Sequence, residues 1–262
     1  MATELESWER PHYERTDAQA FLFYVAFGDI AVDRAMSRSR YRSEGVPDGV
    51  EVRLFNVEED EDYIAGFRSG YLWDRLLEDA PTLAHAVETA PGCALVLGTL
   101  DDPPTLDYLR DCVGLLTHFT DNGACAIYDP QMFQWWAPED WREQIFDPAG
   151  PVPHKHTTIL VSDDDIPGRQ WIHTRGLRKF ARPDISVRHI GPAWVDRIVE
   201  MCNRFIEHQA FGMVIPEAEE IAMEGLPPSG RAYHGGHLDD PQFNNLHVEI
   251  RWPVGALYGE PE

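Results

Sequence analysis

The stretch CALVLGTLDDPPTLDYLRDCVGLLTHFTDNGACAIY, residues 93–128, decides the fold class. Cys93 to Leu100 is an unbroken apolar run of strand length, the pattern of a strand covered on both faces. Asp102-Pro103-Pro104 then opens a helix, because proline is tolerated in a first turn, and Asn122-Gly123 closes it. Between them Leu106, Leu109, Val113, Leu116 and Phe119 recur at steps of three and four, giving one apolar stripe. Ala124 to Tyr128 is the next strand. Such a strand, helix, strand unit makes a right-handed crossover if its two strands are parallel neighbours.

On the N-terminal side, Ala20 to Phe27 is short and aromatic-rich, which favours a buried strand. Residues 33–49 read as a loop or frayed helix around Pro47-Asp48-Gly49, and Val50 to Val57 as a strand. The acidic run Glu58 to Asp62 precedes a helix from Tyr63 to Glu78, where carboxylates complement the helix dipole. On the C-terminal side, Pro138-Glu139-Asp140 starts a short helix, and Pro148 to Pro153 is a break. Strands follow at His156 to Val161, Gln170 to His173 and Ile185 to Ile190, with a short helix at Leu177 to Ala181. Gly191-Pro192 begins the strongest helix, whose stripe Trp194, Val195, Ile198, Val199, Cys202, Phe205 and Ile206 runs to Gly212. Gly225 to Gly236 reads as a long loop, and Asn245 to Trp252 as a last strand exposing His247, Glu249 and Arg251 on one face.

The expected fold is therefore α/β, with α+β as the alternative: a mixed sheet covered by two amphipathic helices at about 105–122 and 192–211. Residues 1–19 read as a loosely ordered N-terminus and 20–262 as one globular domain, with sub-halves at 20–150 and 151–262. Each half holds strands and one long helix, so two related halves are conceivable, though no residue-level repeat supports them.

Charge narrows the function. The 262 residues carry 22 Lys and Arg against 45 Asp and Glu, a net charge of −23, which repels phosphate backbones and excludes a broad nucleic-acid footprint or a polybasic membrane anchor. The first twenty residues have acidic side chains where a signal peptide has basic ones, and the longest apolar run is far too short to span a bilayer. Cys93, Cys112, Cys125 and Cys202 lack C-x-x-C spacing. Together these read as a cytoplasmic protein with reduced, mostly buried thiols.

The segments Tyr128-Asp-Pro-Gln with Trp141-Arg-Glu, His173-Thr-Arg-Gly-Leu-Arg-Lys-Phe-Ala-Arg-Pro-Asp184 and Phe243-Asn-Asn-Leu-His-Val-Glu-Ile-Arg-Trp252 resemble those of a bacterial domain-of-unknown-function family. The resemblance covers residues 90 to 255 approximately. It implies an autonomous bacterial α/β domain and carries over no catalytic residue.

Three constellations could carry chemistry. His154-Lys155-His156 at the mouth of a strand would point both imidazoles to one face, and His247 with Glu249 would do the same from the last strand. With His234, His237, Asp239 and Asp240 nearby in sequence, convergence would make a Zn²⁺ or Fe²⁺ site, although no H-E-x-x-H spacing is present. The second is a basic island: Arg169, Arg175, Arg178, Lys179, Arg182 and Arg188 face only Asp184 within 169–188, a local balance of +5 beside His173. Guanidinium groups there would hold an anion or an acidic partner, or be consumed by ion pairs inside the chain. The third, Phe133, Trp135, Trp136 and Trp141, reads as core filling rather than a binding patch.

No G-x-S-x-G or GxxxxGK[ST] occurs. The expectation is a non-enzymatic acidic binding protein, immunity-like or regulatory, meeting a basic protein partner. The alternative is a metal-dependent hydrolase or oxygenase using His154, His156, His247 and Glu249. A third reading is an anion sensor at His173, Arg175, Arg178, Lys179 and Arg182.

Overall fold

The computed structural model describes residues 5–32 and 34–259. The protein has an α/β fold. Its contacts divide it into two compact units, one of Met1–Glu9, Phe21–Leu100 and Thr105–Val152, the other of Arg10–Ala20, Asp101–Pro104 and Pro153–Glu262. No helix among the described residues is long and apolar enough to cross a membrane.

The first sheet is built from β1 (Gln19–Gly28), β2 (Val50–Asn56), β3 (Gly92–Asp101), β4 (Ala124–Asp129) and β5 (Gln134–Trp136), in the order β2-β3-β1-β4-β5. The Cys93–Leu100 run is β3; Cys93 to Val96 are buried on both faces as the composition predicts, whereas Leu97 to Leu100 are half-buried or exposed. The condition set for an adjacent crossover is not met: β1 lies between β3 and β4, so the two strands joined by the helix are not neighbours. A non-local insertion of this kind leaves no trace in the local pattern.

Helices cover this sheet. Besides the short α1 (Arg38–Tyr41), the chain forms α2 (Val57–Phe67) and α3 (Tyr71–Asp79) where a single helix over 63–78 was expected, and a further helix α4 (Pro81–Glu88) beyond it. The break comes at Gly70, whose φ of +78° suits glycine, and Pro81 sits in the first turn of α4. Ile64, Trp73, Leu76, Ala84 and Val87 from these helices share a core with Val25, Phe27, Cys93 and Leu95 of the sheet. The long helix α5 (Asp107–Asp121) is buried throughout Tyr108–Phe119, not only along its stripe. Its second side is covered by the Tyr41–Ser43 segment and by α6 (Pro138–Trp141): Ser43 Oγ donates to the Asp111 carbonyl at 2.9 Å, and Trp141 Nε1 donates to Thr117 Oγ1 at 3.0 Å. Trp135, Trp136 and Trp141 are buried, while Phe133 is half-buried.

The second sheet has six strands, β6 (Thr158–Asp163), β7 (Gln170–Arg175), β8 (Asp184–Ile190), β9 (Glu220–Ile221), β10 (Gly230–His237) and β11 (Asn245–Arg251), ordered β6-β7-β8-β11-β10-β9. It is mixed: β8 and β11 are parallel, and the pairs β6–β7, β7–β8, β10–β11 and β9–β10 are antiparallel. β10 replaces the glycine-rich loop expected at 225–236; its full-length pairing with β11 supplies the ladder that Gly235 and Gly236 would not suggest alone. The strongest predicted helix is α7 (Val195–Ala210), preceded by a 3-10 turn at Pro192–Trp194, and it packs on β7 and β8. The two sheets differ in strand number and order.

The N-terminal segment is less loose than expected. Residues 5–18 have little regular structure, yet Trp8 and Arg10 are buried, with the Trp8 N–H bonded to Asp107 at 2.8 Å. Burying one indole and one guanidinium requires a fixed backbone, which polarity-based reading cannot anticipate.

Candidate functional site

The register of the second sheet places one set of side chains on the face opposite the buried aliphatic residues. His173 is opposite Ser186, Ser186 opposite Glu249, Asp184 opposite His247, and His247 opposite Gly235. On this face the Arg188 guanidinium lies 4.0 Å from the Trp171 ring centre, and Trp171 stacks on His173 at 3.9 Å. Phe243 meets His173 edge-on at 5.2 Å and stacks on His247 at 4.3 Å. His173 is only 6% exposed and its Nδ1 has no hydrogen-bond partner. Burial, followed by the nearby Arg175, Arg188 and His247, lowers its pKa to about 4, so it is a neutral imidazole at pH 7.

The proposed metal ligands are not brought together. His154-Lys155-His156 forms the end of a 3-10 turn, Pro153–Lys155, rather than a strand, and the strand starts at Thr158. Without strand geometry, residues two apart no longer share a face: His154 is exposed and His156 buried. The His156 ring packs against Phe180 at 6.3 Å, and burial with the Lys179 charge lowers its pKa to about 3. His247 and Glu249 do share a face of β11, where His247 stacks on Phe243 and Glu249 accepts from Arg251 at 2.7 Å. His234 bonds the Ile215 carbonyl at 2.7 Å through Nε2.

Among the described residues the group with metal-binding spacing is instead Asp164, Asp165 and His189. The Asp164 carboxylate there already accepts from Arg188 at 2.9 Å, from the His189 N–H at 2.6 Å and from the Asp165 N–H at 2.8 Å. A guanidinium therefore supplies the positive charge that an ion would bring.

The basic island turns inward onto main-chain carbonyls. Arg175 donates to the Gln242 carbonyl, Arg178 to that of Asn244 at 3.0 Å, and buried Lys179 to that of His156 at 2.9 Å. Arg169 reaches the Tyr258 carbonyl at 3.3 Å. Arg182 binds Asp102 and the carbonyls of Glu14, Ala181, Gly212 and Met213. Arg10 joins it, donating to Asp102 at 2.9 Å and to the carbonyls of Pro103, Phe180 and Ala210. Sequence reading foresaw ion pairs as the internal use of these arginines; the commoner partner is the backbone. Arg10 and Asp102 were missed because 92 residues separate them, and neither sits in a motif.

None of the four cysteines forms a disulfide. Burial pushes the Cys93 thiol up to about 11 and that of Cys202 to about 12, which makes both poor nucleophiles. Comparison with known proteins finds no matching family model, no matching curated protein and no matching solved structure.

Proposed function

We propose that the protein is an acidic binding protein that engages a basic protein partner through the outer surface of α2 and α3, without catalysing a reaction. The charge excess is concentrated on the unit that carries these helices: it has 25 carboxylates against nine arginines and no lysine, and so holds 16 of the 23 excess negative charges.

The observation that carries the reading is the state of the run at the start of α2. Glu58, Glu59, Glu61 and Asp62 are exposed, and no ion pair among the described residues involves them. The arginines near them in sequence are engaged elsewhere. Arg53 pairs with Glu51, Arg75 with Asp79, and Arg68 donates to the Ala90 carbonyl. Helix-end electrostatics account for part of the run, since Asn56 caps α2 and Asp60 accepts from its N–H at 3.2 Å. They do not account for the exposed aromatic rings on the same two helices. Tyr63 stacks on Phe55 at 4.5 Å while remaining exposed, and Tyr71 is 74% exposed. Exposed tyrosine within an acidic field combines a contact anchor with long-range steering of a cationic partner.

The test compares two charge-reversal triples, Glu58→Lys/Glu61→Lys/Asp62→Lys and Glu217→Lys/Glu219→Lys/Glu220→Lys. Affinity for a panel of Lys- and Arg-rich peptides is read by calorimetry at low and physiological salt. The first triple should weaken binding by about tenfold and flatten its salt dependence, while the second leaves the tightest peptide nearly unchanged. Equal losses from both triples would reduce the interaction to bulk polyelectrolyte attraction and overturn the reading.

A further inference from the structure

A cavity of about 540 Å³ opens where β8 and β11 begin and β10 ends, within the second unit and independent of the acidic surface. Its lining is mostly apolar. Val214 and Ile215 come from the segment after α7, and Leu238 and Leu246 flank the β10–β11 connection. Leu238 and Leu246 are 44% and 43% exposed, so apolar surface is left open to solvent at the site.

The charged groups at depth are mainly cationic. Arg178 and Arg182 line the cavity with His247, and Arg182 belongs to a buried cluster with Arg10 and Asp102. The three side chains are 1% exposed or less, and they hold two guanidinium charges against one carboxylate. Carbonyl dipoles satisfy the remaining N–H groups without neutralising the excess charge. A buried positive charge is screened far less than a surface one. Of the carboxylates that oppose it, Asp17 on the cavity wall and Asp239 facing Arg178 are exposed and screened by water, and the buried Asp184 behind Asn245 is offset by the buried Arg175 guanidinium near it. Thr16, also on the wall, is turned away from the cavity by its own bonds to Asp102.

The geometry points to a binding site for an organic monoanion with an apolar body: the anionic group beside Arg178 and Arg182, the body on Val214, Ile215 and Leu246. The volume lies within the range of small-molecule sites, and a few polar groups on a mainly apolar wall is the usual composition of such sites. Inorganic phosphate and nucleotides fit less well, because the wall holds no lysine and is mainly apolar.

Calorimetry on the full chain tests this with octanoate and 1-naphthoate as probes, against octanamide, octylamine and inorganic phosphate. At least one carboxylate should bind with Kd below about 1 mM, and its neutral or cationic counterpart at least about tenfold more weakly. Arg178→Met should cost about tenfold in carboxylate affinity with little effect on octanamide. Leu246→Trp, a substitution at a partly exposed position, should block the cavity and abolish binding while leaving the melting temperature near the parent value. The inference is overturned if neither carboxylate binds, if octanamide or phosphate binds as tightly as the carboxylates, or if folded Leu246→Trp protein binds like the parent.

Discussion

Arg182 Nη1 donates to both carboxylate oxygens of Asp102, at 2.9 and 3.0 Å, although 80 residues separate the two in sequence. Both side chains are removed from water, and Asp102 is shared with Arg10. Such a pair adds little net stability compared with an apolar replacement, but breaking it leaves an uncompensated buried charge. Asp102→Asn should therefore lower the unfolding free energy by about 3–5 kcal/mol, read as a fall in the urea midpoint. A loss below about 1 kcal/mol would mean that the carbonyls alone suffice to hold the two guanidiniums.

Gly114 sets two effects against each other. In the middle of α5, alanine favours the helix over glycine by about 1 kcal/mol. Yet a Cβ at this position would stand 2.2 Å from the Tyr41 carbonyl oxygen and 2.6 Å from Ser43 Cβ. Backbone cannot yield as a flexible side chain can, and overpacking of this kind costs typically about 1–3 kcal/mol. The contact should prevail: Gly114→Ala is expected to lower the melting temperature, and an increase would show that the Tyr41–Ser43 segment gives way.

This contact also marks where sequence reading stops. The stripe from Leu106 to Phe119 located α5, because periodicity reports which side of a helix meets a core. It could not report that a second side is closed by residues 41–43 and by Trp141, since that depends on segments folding back from elsewhere. The candidate site divides in the same way. His247 and Glu249 share a face because strand alternation is local, whereas the His154–His156 pairing failed because a 3-10 turn replaces the strand there. The parallel pairing of β8 with β11, and the Arg10–Asp102–Arg182 cluster, join residues far apart in sequence with no motif to announce them. The acidic run at 58–62 was plain in the sequence; that Arg53, Arg68 and Arg75 are bonded elsewhere was not.

Trp141 and Thr117 give a third test. Trp141 is 1% exposed, and its Nε1 donates to the Thr117 hydroxyl at 3.0 Å, which itself donates to the Val113 carbonyl at 2.8 Å. Thr117→Val keeps the shape and removes the acceptor, so a buried indole N–H is left unsatisfied. The expected loss is about 1–3 kcal/mol in urea unfolding, and Thr117→Ser, which restores the hydroxyl, should recover most of it. A Thr117→Ser loss as large as that of Thr117→Val would show that the threonine methyl, which only the serine variant lacks, matters as much as the hydroxyl.

Stability should depend on pH through Asp184. Burial raises its pKa to about 6, against the pull of hydrogen bonds from Asn245 and Thr174, both at 2.8 Å, and from the Leu177 N–H. An acid with a raised folded-state pKa binds more protons folded than unfolded, so its contribution is complete below about pH 4 and is lost as pH rises to about 6. A shift of about two units corresponds to roughly 3 kcal/mol. His156 acts in the opposite sense. With its folded pKa lowered to about 3, it favours the folded state above about pH 6.5 and ceases to do so as pH falls. The Asp184 slope opposes that of His156 between about pH 4 and 6, but His173, with its pKa lowered to about 4, adds to the His156 slope, so the parent protein should gain stability as pH rises there. Asp184→Asn removes the Asp184 slope and leaves those of the histidines. Its melting temperature relative to the parent should therefore rise between about pH 4 and 6 and stay constant above 7. A difference independent of pH across that range would mean that Asp184 is ionised in the folded protein, held so by its three donors.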